Sequence, residues 1–316
     1  MTTPDLVSHP EGIHRIDAGP LRSGLVASYL IHRDGRAAFV DVGTCRSAPR
    51  LTAALETLHI DAEQVDYLLL THVHLDHAGG AGELMRLLPH ATAVVHPRGA
   101  PHLADPAKLE AAARSALGGE LFDQLHGHLV PIPASRIRSI ADGETLTLGR
   151  SPLRFLETPG HALHHVAIHD ETAAVVFTGD AFGLSYRVFD NPRGDPFVFP
   201  TTSPTQFDPD QSHASLDRIR ALRPRAAYLA HYGRVEGIDH LTDRLHRDLD
   251  HSVSLVRETP DGPEAEDRLT RSLLDYLAGR LAAHEAVLTP SLVRDWLEPD
   301  TRLNAAGLLS WKRRGE

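Results

Sequence analysis

The sequence predicts a mixed α/β fold, with sheets covered by helices and a helical region at the C-terminal end. Two observations predict it. Short apolar runs bounded by turn formers alternate with segments of helical spacing through the first two-thirds of the chain, and beyond about His231 the strand-like runs stop. A third observation concerns chemistry: histidines and aspartates gather where the predicted strands end.

In chain order, the strand-like runs are Leu25–His32, Ala37–Val42, Val65–Thr71, Ala93–His96, Leu153–Glu157, His165–His169, Ala173–Thr178 and Ala226–Ala230. Turn residues such as Arg33-Asp34-Gly35, Pro159-Gly160 and Asp170-Glu171 flank them. Ser47–Leu58 and Gly79–Leu88 carry apolar residues at helical spacing, and Ala-rich Ala107–His126 reads as one or two helices within an insertion over about 98–130. The stretch from about 182 to 211 carries Pro192, Pro196, Pro200, Pro204 and Pro209 among its phenylalanines, which reads as a long ordered loop. Ile238–Thr259, Pro263–His284, Thr289–Trp296 and Thr301–Arg314 read as amphipathic helices, with a break at Pro260-Asp261-Gly262. The expected organisation is a catalytic domain over 1–235 and a helical region over 236–316.

The chain has 316 residues, 41% of them hydrophobic, enough to bury one large core or two smaller ones. Its net charge of -10 disfavours nonspecific attraction to nucleic acid, so no nucleic-acid partner is expected. The first residues show neither a basic start nor an apolar segment, and no run approaches the roughly 20 apolar residues that span a bilayer. The expectation is a cytoplasmic protein without membrane association. The single cysteine, Cys45, rules out an internal disulfide or a multi-cysteine metal site, so a metal here has histidine and carboxylate ligands.

Thr71–Gly80 reads THVHLDHAGG and places His72, His74, Asp76 and His77 directly after an apolar run. Side chains alternate along an extended chain, so His72 and His74 share a side and suit one metal, while Asp76 and His77 follow the turn and suit a second. Thr158-Pro159-Gly160-His161, Thr178-Gly179-Asp180 and Ala230-His231 complete the set at later strand ends. His161 adds an imidazole to the first metal, His231 one to the second, and the Asp180 carboxylate can bridge both. The expected cofactor is a pair of divalent ions, zinc foremost, with iron or manganese accepted by the same donors. Of the remaining histidines, His96, His102, His126 and His128 read first as packing or surface residues.

HxHxDH, a later PGH, a later GD and a final His, in that order, resemble the metallo-β-lactamase superfamily over about residues 13–235. The resemblance implies a four-layer αββα sandwich with the metals in a cleft at one edge. It also implies that Asp41 and His165 support the ligands without binding metal. Thr158–His165, TPGHALHH, is similar in style to glyoxalase II-like members, whose usual TPGHTxGH it departs from at Ala162 and His164.

The expected function is a metal-dependent hydrolase of a small molecule. A metal-bridging hydroxide, oriented by Asp76 and Asp180, attacks an ester, thioester or lactone carbonyl. A phosphodiesterase, an iron-dependent persulfide dioxygenase and a noncatalytic metabolite-binding protein are the alternatives. Tyr186, Arg187, Arg193, Phe197 and Phe199, on the long loop, are the candidate substrate contacts. The C-terminal helices are expected to wall the substrate cleft or to form a homodimer interface.

Overall fold

The computed structural model describes residues 5–19, 22–202 and 205–315. Pro204 of the long loop and residues 1–4 at the start of the chain lie outside them.

Two sheets carry the fold. The first runs in spatial order β1 (Leu6–His9), β2 (Ile13–Asp17), β3 (Ala27–Arg33), β4 (Arg36–Val40), β5 (Val65–Leu69), β6 (Thr92–Val95) and β7 (Ile137–Ser139). The second contains β8 (Thr145–Leu148), β9 (Ser151–Glu157), β10 (Val166–Asp170), β11 (Val175–Gly179), β12 (Ala226–Leu229) and β13 (Gly233–Val235), with β13 and β8 at its edges. Both sheets are mixed: β4, β5, β6 and β7 pair in parallel, as do β11 and β12, and the other pairings are antiparallel. The helices are α1 (Ala48–Thr57), α2 (Leu75–Ala78), α3 (Ala81–Leu87), α4 (Ala100–Ala104), α5 (Ala107–Leu117), α6 (Gly119–Leu125), α7 (Pro209–Ala221), α8 (Ile238–Glu258), α9 (Ala265–Ala283) and α10 (Pro290–Arg313).

The period of two along each strand sorts side chains into layers. Tyr29, Ile31, Ala38 and Val40 of the first sheet meet Leu153, Phe155, Val175, Phe177 and Tyr228 of the second in one central core. The alternate residues Leu30, Ala37, Phe39 and Leu68 face outward onto Leu51 and Leu55 of α1 and Leu84 of α3. On the opposite outer face, Val176, Ala227 and Leu229 lie under residues of α7, α8, α9 and α10. The result is the expected αββα sandwich.

Some expected elements change. β1, β2, β7, β8, β13 and α7 are additional to the sequence reading. The two helices expected over 289–314 are one, because α10 continues through Pro299. Proline removes an amide hydrogen that would otherwise bond the carbonyl four residues earlier, which is Asp295. Arg22 donates to that carbonyl instead, at 3.3 Å. Among the described residues no helix is long and apolar enough to cross a membrane.

Candidate metal centre

The donor-bearing loops leave the same end of the sandwich. His72 and His74 follow β5, and the chain then turns through α2, which carries Asp76 and His77. His161 follows β9, Asp180 follows β11 and His231 follows β12. Strand ends in a packed sheet are rigid, so residues distant in sequence arrive in register.

The arrangement needs glycine at one of these ends. Gly179 has a φ of +48°, and a Cβ there would lie 2.5 Å from His165 Nε2 and 2.7 Å from the Thr71 hydroxyl. Only a hydrogen fits, and this lets β11 bring Asp180 close to the histidine loop.

The seven expected ligands converge. His74 Nδ1 stands 3.0 Å from His72 Nε2 and 3.1 Å from His161 Nε2. His77 Nε2 lies 3.3 Å from His231 Nε2 and 3.4 Å from carboxylate oxygens of both Asp76 and Asp180. Asp180 faces both groups, with its other oxygen 3.3 Å from His161 Nε2. Metal–donor bonds of about 2.0–2.1 Å in a tetrahedral shell set neighbouring donors about 3.3 Å apart, which is the spacing found here. Three donor groups satisfy a shared-ion distance: His72, His74 and His161; His72, His77 and Asp180; and Asp76, His77 and His231. The buried Asp180 Oδ1 has no hydrogen-bond partner, as expected of an atom whose lone pairs are reserved for a cation. The residues therefore fit divalent metal.

Supporting bonds fix which ring nitrogen is free. Asp41 accepts from the Thr71 amide at 2.8 Å and from its hydroxyl at 2.8 Å, and His77 Nδ1 donates to it at 3.1 Å. Thr71, its proton spent on Asp41, accepts from His72 Nδ1 at 3.0 Å. His231 Nδ1 donates to the Leu25 carbonyl at 2.8 Å. In each ring the opposite nitrogen, Nε2, is left facing the cluster. His165 Nε2 accepts from the Asp180 amide at 3.1 Å while its Nδ1 meets the Thr158 hydroxyl at 2.8 Å, so the ring braces Asp180. His164 points elsewhere and accepts from the Val73 amide at 3.4 Å.

Electrostatics divide the donors into two sets. Burial, reinforced by neighbouring imidazoles, holds His72 and His161 well below the usual histidine range, so their lone pairs are ready. Burial opposes charge on His77 too, but the Asp76 and Asp180 carboxylates and the bond to Asp41 outweigh it and raise its pKa well above normal. His231 is raised to about 9: burial acts against this, and Asp180 and Asp76 prevail.

The donors open into a cavity of about 540 Å³ whose walls include Leu25, Val26, Leu125, Leu184, Trp296 and Leu303. Tyr186 lines it. The other four loop residues expected to touch substrate are not brought to it. Phe197 and Phe199 are fully buried in the central core. Arg187 turns back to the Ser185 carbonyl at 2.9 Å, and Arg193 pairs with Asp195 at 3.1 Å and with Glu285 at 2.5 Å. Both arginines border a different surface pocket, along with Phe197. The reason is packing: the loop's phenylalanines fill the space between the sheets and α9 and α10, so among its described residues the loop presents Leu184, Tyr186, Thr201 and Thr202 to the cleft. In place of those residues, the cleft receives Asp295, Trp296, Pro299, Asp300 and Leu303 from α10, Arg22 from before β3 and His126 from after α6. No local pattern in the sequence marks the α10 residues as part of the cleft.

Residues 21–231 match the family model of the metallo-beta-lactamase superfamily, and the chain belongs to that superfamily. Among curated relatives, it is 28% identical over 228 residues to the metallo-beta-lactamase fold-containing protein ST1585 of Sulfurisphaera tokodaii, covering 71% of this chain and 79% of that protein. It is 29% identical over 280 residues to a hydroxyacylglutathione hydrolase of Acidiphilium cryptum, covering 88% and 90%. Among solved structures, ST1585 superposes with a TM-score of 0.65 at 24% identity, covering 95% of this chain and 99% of that one. The family protein TTHA1429 of Thermus thermophilus superposes with 0.64 at 22% identity, covering 99% and 92%. These superpositions establish the shared fold.

Proposed function

We propose that this protein is a two-metal hydrolase of a small acyl compound, an ester, thioester or lactone. The observation that carries this reading is the convergence of seven His and Asp donors at ligand spacing on the floor of a largely apolar cleft. The hydroxyacylglutathione hydrolase relative, which aligns over nearly its whole length, supports acyl chemistry.

His72, His74 and His161 would hold one ion, Asp76, His77 and His231 the other, and Asp180 would bridge them. Bound divalent ions supply Lewis acidity and a nucleophile available at neutral pH. The chain's own residues do the remaining work. Asp76 and Asp180, each within 3.4 Å of a histidine donor nitrogen, are placed to orient the nucleophile. Asp41, Thr71 and the Leu25 carbonyl hold three imidazoles in orientation, so the rings need not turn on binding. Leu25, Val26, Leu184 and Trp296 hold the acyl body and displace water from its carbonyl.

The test is elemental analysis of the purified protein alongside a panel of esters, thioesters and lactones. Two metal equivalents per chain with turnover on at least one class are expected. Full metal occupancy without turnover on any class would leave the noncatalytic reading in its place.

A further inference from the structure

Asp300 is an unusual residue to find in a cleft built for acyl groups. It is half-buried on α10, lines the metal cavity, and among the described residues it forms no ion pair with any arginine, lysine or histidine. Apart from the donor His231, whose charge acts on Asp300, a candidate cation on this cavity is Arg22. That guanidinium is committed elsewhere: it lies over the Trp296 ring, 4.5 Å from the centroid, and donates to the Asp295 carbonyl that Pro299 leaves without a helical partner.

The neighbours of Asp300 sharpen its chemistry. Tyr186 lines the same cavity, and burial followed by the Asp300 carboxylate holds its phenol well above the normal range. Tyr186 and Trp296 stand together, with ring centroids 5.2 Å apart. Burial raises the Asp300 pKa to about 6, which still leaves it mostly ionised at neutral pH, and a carboxylate that shares a cavity wall with two aromatic rings is suited to an ammonium group, by charge and by cation–π attraction. The stacking of Arg22 on Trp296 shows that this wall already accommodates a cation on one ring.

We infer that the Asp300, Tyr186 and Trp296 wall selects substrates carrying an amine cation, protonated or quaternary, at the end remote from the reacting carbonyl. The inference rests on the acyl-hydrolase reading for the reacting end, and on the α10 wall alone for the cationic end. Such a wall acts against a substrate whose remote end is a carboxylate, because Asp300 and the nearby Asp295 would both repel it.

A pair of isosteres that cannot be hydrolysed tests the wall separately from catalysis. The hexyl ether of choline and the hexyl ether of 3,3-dimethylbutanol have the same shape and differ by one positive charge, and the quaternary nitrogen cannot ligate metal. Calorimetric titration of the protein with its metals in place is expected to show the choline ether binding at least about ten-fold tighter. Asp300→Asn is expected to bring the two within about two-fold, while Asp300→Glu keeps part of the preference and Asp295→Asn keeps most of it. Equal binding of the two ethers to the unaltered protein overturns the inference, as does a preference that survives in a folded Asp300→Asn protein. Because neither ether has a scissile carbonyl, a protein that hydrolyses nothing in the panel can still show the preference. Conversely, an active hydrolase can fail to show it.

Discussion

On the floor of the cleft, seven donors come from loops at one end of two sheets, and most of their rings are fixed by a bond to a neighbouring carboxylate, hydroxyl or carbonyl. Across from them, α10 presents Trp296, Asp300 and Leu303 from a helix that reaches the cleft by packing on the loop and on α9. The floor is specified by short-range hydrogen bonding at strand ends, the wall by the fit of apolar surfaces far apart in sequence. A change in the floor should therefore alter metal content, and a change in the wall should alter ligand binding with the metals left in place.

The largest expected effect lies on the floor. Asp180→Ala removes the carboxylate that faces both donor groups and should cost at least one metal equivalent and more than about a hundred-fold in turnover, beyond what loss of a supporting group costs. Elemental analysis and initial rates measure both, and a variant that kept two metals and its rate would remove Asp180 from the bridging role. Next comes Asp41→Asn, which weakens the hold on Thr71 and His77 without deleting a ligand. Metal affinity should drop about 10–100-fold, read by competition with a chelator, with the melting curve of the loaded protein little changed.

The wall should respond differently. In Pro299→Ala the new amide hydrogen competes with Arg22 for the Asp295 carbonyl, so Arg22 should lose its hold on α10 and the cleft rim loosen. KM is expected to rise by roughly three- to ten-fold with metal content unchanged. Loss of metal from this variant would show that floor and wall are not separable.

A separate effect, on stability and not on the site, concerns Asp190, on the loop that carries Tyr186. Burial raises its pKa to about 6, against the pull of Arg187, and its Oδ1 is buried without a hydrogen-bond partner. Its folded pKa exceeds the unfolded value near 3.8, so the fold favours the protonated form. This residue's contribution is therefore most favourable below about pH 4, and stability is lost as pH rises through about 6. Asp190→Asn should stabilise the protein by roughly 2 kcal/mol at pH 7.5 and by little at pH 4. Denaturant unfolding at the two pH values checks this, and an equal effect at both would assign the change to packing.

The floor was legible in the sequence because its chemistry is local. THVHLDH compresses four donors into six residues, and His161, Asp180 and His231 each sit at the end of an apolar run that any strand reading finds. The layers were legible too, since alternation along β3, β4, β11 and β12 sorts the two faces. The wall was not. Nothing near Asp300 marks it as part of a site 120 residues after Asp180, and its position depends on how α10 packs, which no local pattern encodes. Arg187 and Arg193 misled for the same reason: positive charge on a long loop suggests a substrate contact, while in the folded protein phenylalanine packing turns both away from the cleft. Strand β13 and helix α7 were missed because Gly233–Val235 is short and α7 begins inside a proline-rich stretch.

The bond from Arg22 to the Asp295 carbonyl joins residues 273 positions apart. All seven metal donors lie before residue 232, so during synthesis they leave the ribosome before α10 does. The half that carries the candidate donors can assemble while the cleft is still open on one side, and the rim closes only when nearly the whole chain is available. Loop-closure entropy makes so distant a contact late to form. A ribosome-stalled chain ending near residue 280, with α10 not yet made, would then present an open, unselective cleft, and substrate discrimination would arrive with α10.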